Sequence, residues 1–517
     1  MTISISNAPA EALLRERRRA TERASAEREQ RERETARTVF SRFIILTLCL
    51  AIILSTLAFG TVHSWSLAVF QLGAALVIVF WAADAWRTRR LRINRNALQL
   101  PLLGLFVYGL LQLLPFGATP APDAAALSSE PVRSLSLDPY ATRFVLIQLG
   151  ALFVYFAAAL SFIDSPRRLR LMTRTVVIFG FLLAVFGLIQ SFVSPLRIYG
   201  IRELKQAVGF GPFINRHHFA TYMEMAAALP LGLLFAGSVD RDRRILYAFA
   251  ALLMGLALVM TNSRGGMLAL GAEVIFLVVV SGLVRRPAHG EEADDVEPRS
   301  RGLLLRALAG VGIVAVLLAL VLSFGGDGAL NRLLGTVNSE DPTTGRLHFW
   351  RGTLGIIRDH FWTGTGLGSF PVAYPRYDTG NGSLYRLEQA HNDYLQIVSD
   401  AGVVGLALGL LFVVLLFRAG LRRMQSESSF RRGVALGALA GCFAALVHSF
   451  FDFPLHTTAN ALLFLTLAAL ATLDGRVENS RRKRRRSSRG GERTTPAPQP
   501  TPTPAPEAAD AETAPAT

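Results

Sequence analysis

Long uncharged runs recur along this chain and dictate what it can fold into. Twelve apolar stretches, mostly of 17 to 23 residues, lie between residues 43 and 473. A bilayer core of about 30 Å needs about 20 apolar residues per helix. Lipid also obliges each span to satisfy its own backbone hydrogen bonds, so the spans are helices. They are expected near 43–60, 66–86, 97–115, 143–163, 172–193, 217–237, 245–261, 266–284, 303–324, 402–417, 433–450 and 457–473. A soluble helical protein would not carry so many uncharged runs of spanning length. The expected class is all-α: a polytopic membrane protein of about 12 transmembrane helices with one large outward helical loop, 325–401.

Charge sets the orientation. The chain carries a formal +16, yet its only lysines are Lys205 and Lys483, and the arginines gather in short connections and tails. Arg87, Arg89, Arg90, Arg92 and Arg95 fall in one connection; Arg167, Arg168 and Arg170 in another; then Arg241, Arg243 and Arg244; Arg285 and Arg286; and Arg418, Arg422, Arg423, Arg431 and Arg432. With twelve spans and both termini in the cytoplasm, all lie on the inner side, as the positive-inside bias requires. That accounts for the charge without nucleic acid. The opposite side then receives 61–65, 116–142, 194–216, 262–265, 325–401 and 451–456. Cys49 and Cys442 lie inside apolar runs and act as small hydrophobes.

Three domains follow. Residues 1–42 form a charged cytoplasmic arm with no signal peptide before the first span. Residues 43–475 form the membrane domain. Residues 476–517 begin with the basic run Arg481–Arg486 and end in Pro, Thr and Ala, a composition that stays disordered. The basic run is a topology anchor or a ligand for anionic lipid.

The polar residues that sit at the outward surface are the candidates for chemistry. Arg264, in Thr261-Asn-Ser-Arg264-Gly-Gly266, is a snorkelling arginine or an anion ligand, with Gly265 and Gly266 allowing close approach to the backbone. Asn215 caps the helix that follows it or, with Arg216, opens an anion site at the helix start. Glu224 and Glu273 are intramembrane acids that face a cavity or a partner. Arg346, Trp350, Arg351, Leu354, Ile357 and Arg358 fit an amphipathic helix, with Trp350 and Trp362 at the membrane interface. Gly364, Gly366 and Gly368 make a flexible turn, weak as a phosphate loop without a strand before it. His391, in His391-Asn-Asp-Tyr394-Leu395, is a general base or a helix cap. Asp452 orients a histidine or caps the last span. His217, His218, His348, His360, His391, His448 and His456 lack metal-ligand spacing, and no Walker loop or serine elbow is present.

These residues resemble, in order and topology, the O-antigen ligase and O-antigen polymerase family of bacterial membrane glycosyltransferases. The resemblance runs over roughly residues 205–470. It rests on Ser263-Arg-Gly-Gly266, Gly345-Arg346-x-x-x-Trp350, Gly364-x-Gly-x-Gly368-x-Phe370, His391-Asn-x-Tyr394-Leu395, Gly402-x-x-Gly405 and Phe451-Asp452-Phe-Pro-Leu-His456-x-x-x-Asn460. It implies an inner-membrane enzyme with an undecaprenyl-diphosphate-linked glycan donor. The implied acceptor is a glycan, lipid A–core or a protein. The implied site is His391 as catalytic residue and Arg264 and Arg346 as diphosphate-binding residues, with Asn215, Arg216, Arg351, Asn392, Tyr394 and Asp452 in support. No metal and no cofactor is implied.

Arginine binds phosphate oxygens bidentately with a permanent charge, so it stabilises the diphosphate as the glycosidic bond breaks. The expected reaction is metal-independent and inverting, and yields a ligated or polymerised polysaccharide. A protein O-oligosaccharyltransferase of the same superfamily is the near alternative. A transporter that moves lipid-linked glycan without chemistry is the distant one; no internal repeat supports it.

Overall fold

The computed structural model describes residues 38–115, 134–195, 197–204, 208–283, 346–378 and 387–474, with single helical positions at 308, 310, 312 and 315. The expected span 303–324, the N-terminal arm, the C-terminal tail and the first part of the long loop lie outside the described residues, except for those single positions. The described chain is helical. The membrane elements are α1 (Val39–Leu57), α2 (Ser64–Thr88), α3 (Gln99–Gln112), α4 (Pro139–Phe162), α5 (Pro166–Val193), α6 (Arg216–Phe235), α7 (Arg244–Met260) and α8 (Arg264–Leu283). After α8 come α9 (Arg346–Asp359), α10 (Asp393–Arg423), α11 (Ser429–His448) and α12 (Thr458–Thr472). The strands, β1 (Arg197–Ile198) and β2 (Arg202–Glu203), form one short antiparallel pair.

Among the described residues, eight helices are long and apolar enough to cross a membrane. Two expected spans are shorter apolar helices, α3 with 14 residues and α12 with 15, and the expected span 217–237, which forms α6, is not among the eight. Helix starts follow local chemistry: Thr38 caps α1, Asp138 caps α4 ahead of Pro139, and Ser165 caps α5 ahead of Pro166.

The centre is made of α6, α11 and α12. Every residue of α12 is buried, as is α6 from His218 to Leu233. Apolar side chains around the whole circumference suit a helix enclosed by other helices. By contrast α2 turns Leu72, Leu76, Ile78 and Val79 outward, and α10 does the same with Leu410, Leu411 and Val414, as expected of helices that meet lipid. Gly433, Gly437 and Gly441 line one face of α11 at four-residue spacing. A Cβ on Gly232 would lie 2.2 Å from the Gly437 nitrogen, and one on Gly437 would lie 2.5 Å from the Ala228 carbonyl oxygen. The two backbones therefore touch, the small-residue packing that membranes favour where no hydrophobic drive exists.

The second organising feature is a break in α10. Gly402 has φ 60° and ψ −158°, a conformation almost confined to glycine. Val403 N–H turns from its own helix to the Phe361 carbonyl (2.9 Å). The carbonyls this exposes are taken by the glycine turn: Thr365 N–H donates to Ser399 and Gly366 N–H to Asp400, at 2.8 and 2.9 Å. Gly368 N–H donates to the Asp400 carboxylate (3.0 Å). Gln112, at the end of α3, donates to the carbonyls of Thr363 and Asp400 and accepts from Leu367 N–H. So Gly364, Gly366 and Gly368 form no phosphate loop. They are the complement of a broken helix.

On α9, Gly352, Thr353 and Ile356 are buried, while Arg351 and Leu354 are exposed. The core face thus differs from the one the sequence suggested. Ile356 packs with Phe370, Ala373, Tyr374 and Ala390. Trp362 is exposed, whereas the Trp350 indole nitrogen is buried.

Two outcomes test this packing. Gly437→Leu should lower the thermal midpoint of the detergent-purified protein or abolish its accumulation, because the backbones must separate. Gly402→Ala should destabilise by roughly 1–3 kcal/mol from backbone strain alone, with a further clash at the Trp362 carbonyl 2.5 Å away. Gly409→Ala, with open space around it, should be neutral or stabilising. Equal midpoints for Gly402→Ala and Gly409→Ala would refute the role given to the break.

Candidate active site

The first segment of α10 begins at Asp393, and its cap is Asn392. The Asn392 side chain accepts from the N–H groups of Tyr394 and Leu395 at 2.9 and 3.0 Å. Its amide donates to the Phe450 carbonyl (3.0 Å). His391 therefore lies before the helix and does not cap it. Its φ is +52°, a left-handed conformation worth roughly 1–2 kcal/mol of strain for a residue with a Cβ. The ring lies between Phe349 of α9, stacked at 5.9 Å, and Phe453, edge-on at 4.8 Å.

Asp393 ties this segment to the chain between α11 and α12. Its N–H donates to the Ser449 carbonyl (3.0 Å). Its carboxylate accepts from Ser449 Oγ (2.8 Å) and Leu455 N–H (3.3 Å), and it meets His456 Nδ1 at 2.8 Å. Tyr394 Oη donates to the Leu446 carbonyl (2.7 Å), and its ring packs on Phe450. These contacts hold residues 449–456 against the start of α10, and so bring Asp452 beside His391.

Asp452 joins the cluster. Its Oδ1 lies 3.2 Å from His391 Nδ1, and its Oδ2 lies 3.5 Å from Arg346 Nη2. Arg346 also donates to the Phe451 carbonyl. The carboxylate is 1% exposed, whereas the His391 and Arg346 side chains are 26% and 18% exposed. The acid is thus sealed behind the two groups that reach the surface. Burial pushes the Asp452 carboxyl up. The His391 hydrogen bond and the charges around it, Arg346 among them, outweigh burial and hold it well below the usual carboxylate range.

Arg264 opens α8 after the tight turn at Asn262, whose φ is +55°. Its Nη1 is buried and has no hydrogen-bond partner among the described residues. The glycines beside it serve packing: a Cβ on Gly265 would lie 3.0 Å from the His448 ring and from Phe451 Cβ. Arg264 thereby stands next to the segment that carries Asp452. Asn215 caps α6, accepting from His217 N–H (2.9 Å), and Arg216 is the first residue of that helix. Arg351 points out of the α9 core face and makes no hydrogen bond or ion pair with the cluster.

Two residues that the sequence did not single out for chemistry belong here. His217 Nδ1 lies 2.8 Å from Ser263 Oγ and 4.0 Å from Asp452 Oδ2. His448 Nδ1 meets Thr221 Oγ1 at 2.9 Å and Glu224 at 3.2 Å. Glu224 thus pairs with a histidine rather than with an arginine. Glu273 is buried with neither carboxylate oxygen hydrogen-bonded among the described residues. His217, His448 and Asp452 each offer a ligand atom within 4.8 Å of the others, a convergence that spacing along the chain could not reveal. As a metal centre the set fits poorly. The Nδ1 atoms of His448 and His217 face Glu224 and Ser263, which leaves only the Nε2 atoms for a metal, and the Arg346 guanidinium stands at the carboxylate where a cation would bind.

Comparison with known proteins bears on one stretch of the chain. The curated proteins give no match. Residues 249–410 match the family model described as O-antigen ligase. That stretch, which is similar to the O-antigen ligase family, holds Arg264, Arg346, His391 and the break at Gly402.

Proposed function

We propose that the protein transfers a saccharide from undecaprenyl diphosphate to an acceptor hydroxyl at the periplasmic surface of the bacterial inner membrane, by ligation or polymerisation. The observation that carries this reading is the shared carboxylate: one buried Asp452 meets His391 with one oxygen and Arg346 with the other. It couples a candidate base to a candidate phosphate ligand, with the unpaired Nη1 of Arg264 nearby in the chain's packing.

The chemistry follows from the geometry. With Nδ1–H donated to Asp452, the imidazole presents a lone pair at Nε2. Asp452 fixes that tautomer, as a carboxylate does for a catalytic histidine. Nε2 takes the proton from the acceptor hydroxyl as its oxygen attacks the anomeric carbon. The bond from that carbon to the diphosphate breaks, and its electron pair leaves on the phosphate oxygen. Arg264 and Arg346 meet the charge that grows there. One displacement inverts the anomeric centre, and the guanidinium groups fill the role a divalent metal would otherwise take.

The test is a reconstituted assay with labelled undecaprenyl-diphosphate saccharide and no added divalent metal, following lipid diphosphate release and glycan size. His391→Ala, Arg264→Ala and Arg346→Ala should each lose roughly 10²–10³ in rate while eluting as folded protein. Transfer by His391→Ala at the wild-type rate would remove the base assignment. Flipping of labelled lipid with no glycosidic bond formed would replace the enzyme by a transporter.

Asp452 gives a pH test with a fixed sign. A carboxyl held below its unfolded value of 3.8 stabilises the fold above that value and loses its contribution as pH falls below it. The difference in thermal midpoint between wild type and Asp452→Asn should therefore persist as pH falls to about 4 and shrink below it. A difference that vanishes near pH 6 would mean the carboxyl protonates in the neutral range, and the orienting role would fail.

A further inference from the structure

At the far end of α10 from His391, the fold forms an open polar cleft. Arg418 stands 16 residues beyond the break at Gly402, about 24 Å at 1.5 Å per residue, so this cleft lies well away from the candidate active site. Its volume is about 640 Å³, and its lining includes Arg95, Arg418, Arg422 and Arg423. Leu415, Ala419 and Ile93 supply apolar surface beside them.

The arginines come together for structural reasons. Arg418 and Arg422 are one turn apart on the last part of α10 and share a face. Arg95 comes from the connection between α2 and α3, which is pinned on either side. Asn94 donates to the Leu160 carbonyl (2.8 Å), and Asn96 donates to Thr472 Oγ1 (2.9 Å). The wall is therefore built, not draped.

Charge is what this cleft leaves unbalanced. Some arginines at this end of the bundle find partners: Arg92 pairs with Asp84 and Asp164, Arg168 with Asp164, and Arg431 with three carbonyls at the end of α12. The guanidinium groups of Arg95, Arg418, Arg422 and Arg423 make no hydrogen bond or ion pair among the described residues. Among the described residues Asp474 is the only carboxylate in the lining, and it already has an interaction of its own. Orientation in the membrane requires positive charge on this side, but not four guanidinium groups converging on one concavity. Like charges so placed repel until an anion joins them, and guanidinium is the side chain best matched to phosphate oxygens.

We propose that this cleft binds a phosphate-bearing anion, the headgroup of an anionic phospholipid. The mixed lining favours lipid over free phosphate: arginines stand beside Leu415, Ala419 and Ile93, which would meet the start of an acyl chain. Basic pockets between membrane helices take such headgroups by the same attraction.

The test uses the full-length protein purified in detergent. Native mass spectrometry and thermal unfolding are run with phosphatidylglycerol, with phosphatidylcholine, and with inorganic diphosphate. Phosphatidylglycerol should be retained and should raise the midpoint, and phosphatidylcholine should do neither. Arg418→Gln combined with Arg422→Gln should weaken phosphatidylglycerol binding about 25-fold, at about fivefold per lost charge. Both side chains are exposed, so the variant should keep its fold and its glycan transfer. Unchanged binding by the double variant, or equal binding of phosphatidylcholine, would overturn the site. Protection by diphosphate equal to that by phosphatidylglycerol would overturn the lipid source.

Discussion

The buried carboxylate of Asp452 is the interaction on which the candidate site depends. Removing a charge from water is costly unless partners replace the lost hydration. Here His391 and the Phe453 N–H meet Oδ1, and the Arg346 guanidinium faces Oδ2 as an ion pair without a hydrogen bond. The requirement runs both ways. His391 comes from the start of α10, Arg346 from the start of α9 and Asp452 from the chain between α11 and α12. Three distant segments must arrive together, or a charge is left buried and unpaired. The cluster thus fastens the peripheral helix α9 to the membrane bundle at the place where the reacting groups are needed.

The second constraint is the broken helix. A continuous α10 would satisfy Ser399 and Asp400 from within and leave nothing to hold the 361–368 segment. Breaking at Gly402 frees those carbonyls, and the glycine turn uses them. The mutual fit is close. A Cβ on Gly364 would lie 2.4 Å from Asp400 and Ala401 backbone atoms, and one on Gly402 would lie 2.8 Å from the Gly364 nitrogen. The glycines at 364 and 402 therefore need each other, and the ten residues between His391 and Gly402 measure one thing: the length of helix from the cap to the break.

Much of this was legible in the sequence, and the remainder was hidden for identifiable reasons. Apolar length located the helices, because lipid admits few alternatives to a helix. The residues proposed for chemistry were chosen by type and by expected position at the surface, and the fold brings His391 and Arg346 together at Asp452. The glycine turn was misjudged as merely flexible, because its partner lies more than thirty residues onward and only the folded backbone shows the exchange of hydrogen bonds. His217 and His448 stayed out of view for a related reason. Their meeting with Asp452 depends on how α6 and α11 cross, and that crossing is set by Gly232 against Gly437. Ile356 was overlooked on α9 because a helix with weakly apolar composition does not announce which side is covered.

The distribution of charge at the candidate site separates the two arginines. Arg346 is already balanced by Asp452 and bonded to the Phe451 carbonyl, so much of its positive field is spent before any donor arrives. Its chief contribution is geometric: it holds the carboxylate and the donor site in one frame with His391. Arg264 has a buried Nη1 with no acceptor among the described residues, and its charge is not cancelled by a neighbouring acid in the same way. Under the proposed function, a lipid diphosphate would supply the acceptor oxygens that this nitrogen lacks. Ground-state attraction alone would tighten binding without speeding transfer. In the proposed transfer, the gain in rate would come from the rise in negative charge on the leaving diphosphate, which Arg264 would meet with little compensation and Arg346 through the Asp452 carboxylate that it shares with His391.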